Sequence, residues 1–237
     1  MDTNNSLDLI FSKLSNINIY DVFALQSMEQ EIALILKENP NNTKALVCLL
    51  KAETFLGKPE QARAVANKIL SIGGMLAQPL KLSLIDSLIN IGFTDKAESL
   101  LQPYISNPAL DEAFYIPMLK LSMITGSISL MEKTLLRREN QMIRSFVEVY
   151  RIKDYFEHFK QTQHIIYEEI KDSLCLYNFK LYQERGFVDL ESIFHITNKD
   201  VNNLWHKINN KIEYYHISHQ AKRLNNIGFV LVDINNR

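Results

Sequence analysis

The chain has 237 residues, 46% hydrophobic and 22% charged, with a formal charge of -1, seven glycines and six prolines. This composition supports a sizeable core of regular structure and excludes wholesale disorder. The near-neutral charge excludes a global pull toward nucleic acid or acidic membranes.

The N-terminus, Met1-Asp2-Thr3-Asn4-Asn5-Ser6, lacks a basic start followed by an apolar core, so no secretory signal is expected. Residues 6–14 have helical apolar spacing. A second helix is predicted from Val22 to Glu38, with Leu25, Met28, Ile32, Ile35 and Leu36 on one side. Asn39-Pro40-Asn41-Asn42 ends it, because a residue before proline avoids the helical region. Thr43 opens a helix to about Leu56, and Gly57 breaks it by accepting left-handed backbone cheaply. Pro59 starts the returning helix, which Gly73-Gly74 stop.

The pattern repeats. Pro79 starts a helix that Gly92 breaks, Thr94 is the expected N-cap of the next, and Asn107-Pro108 ends that one. A third unit is expected from Asp111 to Thr125, with Pro117 as a kink or a late start and Gly126 as the break. Ser129 to Glu139 returns. Gly57, Gly92 and Gly126 thus recur at spacings of 35 and 34 residues, a period that marks an array of helical hairpins. Beyond Asn140 the period loosens. Two more helices, the second reaching about Lys171, form a degenerate last hairpin or a cap.

After Asp172 the texture changes. Leu174 to Tyr182 alternates as a strand, Glu184-Arg185-Gly186 turns, and Phe187 to Ile196 reads as its hairpin partner. Thr197 to Asp200 has capping-box spacing before a helix expected to bury Val201, Leu204, Trp205, Ile208, Ile212 and Tyr215. Ile227 to Ile234 is a last strand, whose unpaired edge could join that of a second copy in a homodimer. The expected fold is therefore mostly α: a hairpin array over 1–172, then a small α+β module (β-β-α-β) over 173–237, packed on the array or capping it. No apolar run is long enough for a membrane span. Cys48 and Cys175 fall in apolar runs, as buried free thiols do, and fit a reducing cytoplasm.

Over roughly 8–138 the chain resembles the tetratricopeptide repeat, a 34-residue antiparallel helix pair. The turns at Asn39-Pro40-Asn41-Asn42, Gly57 and Gly92 carry the resemblance, with Ala62 and Ala97 at the helix crossing. Met131 replaces the small residue in the third unit, and Leu46 and Lys81 stand where the family has tryptophan. A related helical-hairpin solenoid fits these departures too. The resemblance implies a concave groove lined by first helices, here Lys44, Val47, Lys51, Thr54, Phe55, Leu82, Asp86, Ile89 and Asn90. Such a mixed groove would take a helix or an extended segment of another protein. It implies an adaptor or scaffold; carboxylate-tail capture is not supported, because the second unit offers Asp86 and no second basic residue.

Other chemistry is thinly represented. Lys207, Lys211, Lys222 and Arg223 near Trp205, Tyr214 and Tyr215 make a candidate nucleic-acid surface, but no fold-level motif backs it and Trp205 falls on an apolar stripe. His216 and His219 are one turn apart, with His195 and His206 also in the tail. Without the acidic and cysteine ligands of a zinc site they read as surface histidines, so no metal and no cofactor are expected. No nucleophile elbow, phosphate loop or dinucleotide fingerprint occurs. A hidden activity would have to be sought among Asp189, Glu191, His195 and Asp233 in the tail.

Overall fold

The computed structural model describes residues 3–107, 112–136, 138–153, 155–184, 187–197, 200–219 and 227–235. In chain order these form α1 (Thr3–Asn16), α2 (Val22–Glu38), α3 (Thr43–Phe55), α4 (Pro59–Ile72), α5 (Gln78–Asn90), α6 (Thr94–Ser106), a short 3-10 turn (Glu112–Phe114), α7 (Tyr115–Thr125), α8 (Ile128–Leu135), α9 (Gln141–Lys153) and α10 (Phe156–Ile170). The tail adds β1 (Leu174–Glu184), β2 (Phe187–Ile196), α11 (Val201–Ser218) and β3 (Ile227–Asp233). The fold is mostly α, a helical array followed by a small α+β module, as expected. No described helix is long and apolar enough to cross a membrane.

Local chemistry starts and stops the helices. The Asp21, Asn42 and Ser127 side chains accept from Ala24, Ala45 and Leu130 N–H as N-caps. Pro117 lies in the first turn of α7, where its missing N–H costs nothing, so it marks a late start. Thr94 does not cap α6: it is the first helical residue, and Phe93 holds the cap position without a side-chain bond. The Thr197 capping box is likewise replaced. Asp200 is itself the cap of α11 and accepts from Asn203 N–H, because its carboxylate reaches that donor directly. Helix α8 stops at Leu135, four residues short of the expected Glu139.

α3 packs on α4, α5 on α6 and α7 on α8, while α3, α5 and α7 stack successively on one another. Ala62, Ala97 and Met131 are all fully buried at the crossings. α10 departs from the pattern. It packs on α7 and α11 rather than closing a stacked hairpin, and Phe159 meets Phe146 of α9 edge-on at 5.5 Å. Each of these fully buried rings contributes about 2–3 kcal/mol.

The sheet order is β1-β2-β3. β1 and β2 form the expected antiparallel hairpin, and β3 adds parallel to β2 through the α11 crossover. Tyr177, Ser192, Phe194 and Phe229 share one face, covered by α10 and α11: Gln163 donates to Ser192 Oγ, and Trp205 lies 6.1 Å from the Phe229 ring. α11 is less buried than its stripe suggests. Only Ile208 of the six expected residues is buried, and Trp205 is 40% exposed, because a three-stranded sheet is too narrow to cover the helix. Both cysteines are buried, and neither forms a disulfide among the described residues. Burial pushes the Cys48 thiol up to about 11, against weak opposition from Lys44 and Lys51.

Candidate interaction surface

The residues assigned to the groove separate into two sets. Val47, Thr54, Ile89 and Asn90 are buried, with at most 1% exposure. β1 packs against α3, α5, α7 and α9, so the protein's own strand runs across the helices that were expected to face a partner. Lys44, Lys51, Phe55, Leu82 and Asp86 remain half-buried on α3 and α5. The resemblance named these positions; it carried no signal of what lies against them.

A polar network ties β1 down. Lys120 Nζ on α7 donates to Asp86 Oδ1 at 2.7 Å and to Asn90 Oδ1 at 2.6 Å. Asn90 Oδ1 also accepts from the Tyr177 backbone N–H at 3.3 Å, and its amide donates to Asp86 Oδ2 at 3.2 Å. The lysine is 6% exposed and its charge is matched by Asp86. A buried charge needs such a partner. Tyr177 is buried throughout; its hydroxyl lies 3.4 Å from Ser192 Oγ, and burial pushes its pKa up. Lys120 was missed in the sequence. The signal was there, since it is the sole charge in an otherwise apolar helix.

A second tie follows the glycine row. A Cβ on Gly126 would lie 2.6 Å from Lys160 Cα, one on Gly92 would touch the Tyr167 ring, and one on Gly57 would lie 2.5 Å from Ile234 Cγ2. Tyr167 Oη donates to Gly92 O at 2.5 Å. Arg63 on α4 donates to the carbonyls of Ile91, Lys171 and Asp172, bridging the end of α5 to the α10–β1 turn. Three successive hairpin turns are thus lined by the C-terminal third of the chain. The glycines serve the turn and also the close approach of that segment.

On the strip left half-exposed, Lys44 Nζ pairs with Asp8 at 2.5 Å. Lys51 lies 5.7 Å from the centre of the Phe55 ring, and burial draws its pKa down against the pull of Asp86. The strip thus joins apolar surface from Phe55 and Leu82 to a partly desolvated cation.

The basic residues of α11 are differently placed. Lys207 and Lys211 both pair with Glu169, and these hydrogen bonds hold its carboxyl below the usual range. One of their two charges is therefore offset within the protein, by the single Glu169 carboxylate. Lys222 and Arg223 lie outside the described residues. Of these four histidines, His206 and His219 are exposed as expected, whereas His195 in β2 and His216 on α11 are buried, at 6% and 7% exposure. No group of three or more metal-ligating side chains converges among the described residues. Asp189, Glu191 and His195 share one face of the sheet and Asp233 takes the other, so the four do not form one site.

No protein-family model matches the chain, and neither a curated protein nor a solved structure matches it significantly.

Proposed function

We propose that the chain is a non-enzymatic protein–protein adaptor built on a divergent tetratricopeptide-like array and working in the cytoplasm. The observation that carries this reading is the half-exposed strip of Lys44, Lys51, Phe55, Leu82 and Asp86, which borders the buried bed of β1 on two successive first helices. Helical-hairpin arrays offer extended binding surfaces of this kind. β1 fills the middle of that surface, so a partner lies along the strip beside it, as a helix or an extended segment. Leu82 and Phe55 supply apolar contact. Lys51 is partly desolvated already and favours a partner that brings an acidic side chain.

The test uses the intact protein with a photoreactive analogue in place of Leu82, and a control protein with the same group in place of the fully exposed Met75. The expected result is a discrete protein adduct at position 82, absent at position 75 and lost when Lys51→Glu is added. Equal adducts at both positions, or none at 82, would remove the strip as the binding surface.

A further inference from the structure

The two edges of the sheet are treated differently. β1 lies against the first helices of the array, and one of its edge amides, Tyr177 N–H, is accepted by Asn90. β3 is the other edge, and among the described residues no hydrogen bond closes its far side. Proteins usually blunt such an edge with lysine, proline or a bulge. Ile227-Gly228-Phe229-Val230-Leu231-Val232-Asp233 has none of these, and its register with β2 runs unbroken from Leu190↔Ile227 to Ile196↔Asp233.

We propose that β3 is a self-pairing edge: two copies of this chain join their β3 strands antiparallel about a two-fold axis at Val230, giving one six-stranded sheet. The backbone parity fits that axis. Ile234 N–H donates to Ile196 O, so even-numbered residues of β3 turn their amide groups to β2. By alternation Ile227, Phe229, Leu231 and Asp233 turn theirs outward. An axis at Val230 sets Phe229 opposite Leu231 of the second copy and Ile227 opposite its Asp233. All four outward-facing residues then meet outward-facing residues, as hydrogen-bonded pairs require. The two Val230 side chains meet in the closer, non-hydrogen-bonded position.

Charge and surface favour a second copy as the occupant. The only charged residue of β3, Asp233, faces Ile227 rather than its own copy, so no like charges oppose. Moving the axis to Phe229 or Leu231 would leave two residues of each strand unpaired. Val230 is 38% exposed, and Trp205 beside the edge is 40% exposed. A cleft of about 200 Å³ bounded by Trp205, Ile212, Ile227 and Phe229 opens next to the strand. Joining two edges sets Ile227, Phe229 and Leu231 of both copies in one apolar layer, which each Trp205 borders.

Sedimentation of the intact chain over a wide concentration range tests this. The expected mass rises from 27.5 kDa toward twice that value. Val230→Lys, at an exposed position that keeps its bonds to β2, should stay at 27.5 kDa with unchanged circular dichroism. Val230→Cys should form a covalent dimer on mild oxidation, since opposed Cβ atoms in such a pair lie about 5 Å apart, whereas Tyr182→Cys on β1 should not. A wild-type chain that stays monomeric at every concentration overturns the proposal, even if it captures a foreign strand at β3. So does a dimer that survives Val230→Lys, or a Val230→Cys protein that crosslinks no better than Tyr182→Cys.

Discussion

Glu53 on α3 is 7% exposed, faces Glu29 of α2 and Lys58 at the start of α4, and leaves Oε2 without a hydrogen-bond partner among the described residues. Lys58 is already bound to Glu29 at 2.5 Å. Burial, aided by the Glu29 charge, therefore pushes the Glu53 carboxyl from 4.5 up to about 7. The folded state binds this proton more tightly than the unfolded chain does. Its contribution to stability is fully present below pH 4.5, falls as the pH rises, and is gone above about 7. Glu53→Gln should remove that slope from a urea titration series and stabilise the protein at pH 8 by about 1–3 kcal/mol. An unchanged slope, or lower stability at pH 8, would contradict the environment described for Glu53. None of this was visible in the sequence, where Glu53 is one acid among the 27 Asp and Glu residues. Its neighbours come from α2 and the α3–α4 turn, and only folding assembles them.

At the scale of elements, what is local was legible. Gly57, Gly92 and Gly126 all take positive φ, as the turn chemistry requires. The β1–β2 hairpin and Asn42 as a cap are likewise local in origin. What depends on distant partners was not legible. The sequence allows α9 and α10 as a degenerate last hairpin or a cap; the packing of α10 is decided by the α7–α8 turn, onto which it drops at Gly126. The Thr197 capping box lost to Asp200 because both residues have cap chemistry and spacing alone does not rank them. The docking of α10 can be tested by comparing two glycines. Gly126 has φ +67 and its added Cβ would strike Lys160 backbone at 2.6 Å, whereas Gly73 has φ +65 and nothing within 4 Å. Gly73→Ala, at φ +65 and ψ -163, has backbone strain alone to bear and should cost about 1–3 kcal/mol. Gly126→Ala carries left-handed strain of about 1–2 kcal/mol and should cost about 2 kcal/mol beyond that strain, because backbone must move. A Gly126→Ala loss no larger than its left-handed strain would mean that α10 does not sit against that turn.

For the whole molecule, the array and the tail appear as successive units in the sequence and as one packed body in the structure. The periodic residues turned toward a common side, and the strand signal after Asp172, were both legible. That the tail packs on the array was expected; that β1 runs across α3, α5 and α7 was not, because neither segment carries a local mark of the other. The Lys120–Asn90–Tyr177 network, Arg63 across the α10–β1 turn, and the packing of β1 on α3, α5 and α7 all place β1 against the array. The apolar surface of the first helices is then covered in part by the chain itself, and the binding proposed above is left to the strip and to the β3 edge. The chain has a single tryptophan, Trp205, in the tail, while most of its helix lies in the array. Urea unfolding followed by Trp205 fluorescence and by far-ultraviolet circular dichroism therefore reports on the two parts separately. Coincident transitions, with one midpoint and one slope, are the predicted result. A Trp205 transition complete before the helical signal begins to fall would contradict the account, because the tail would then leave the array without unfolding it.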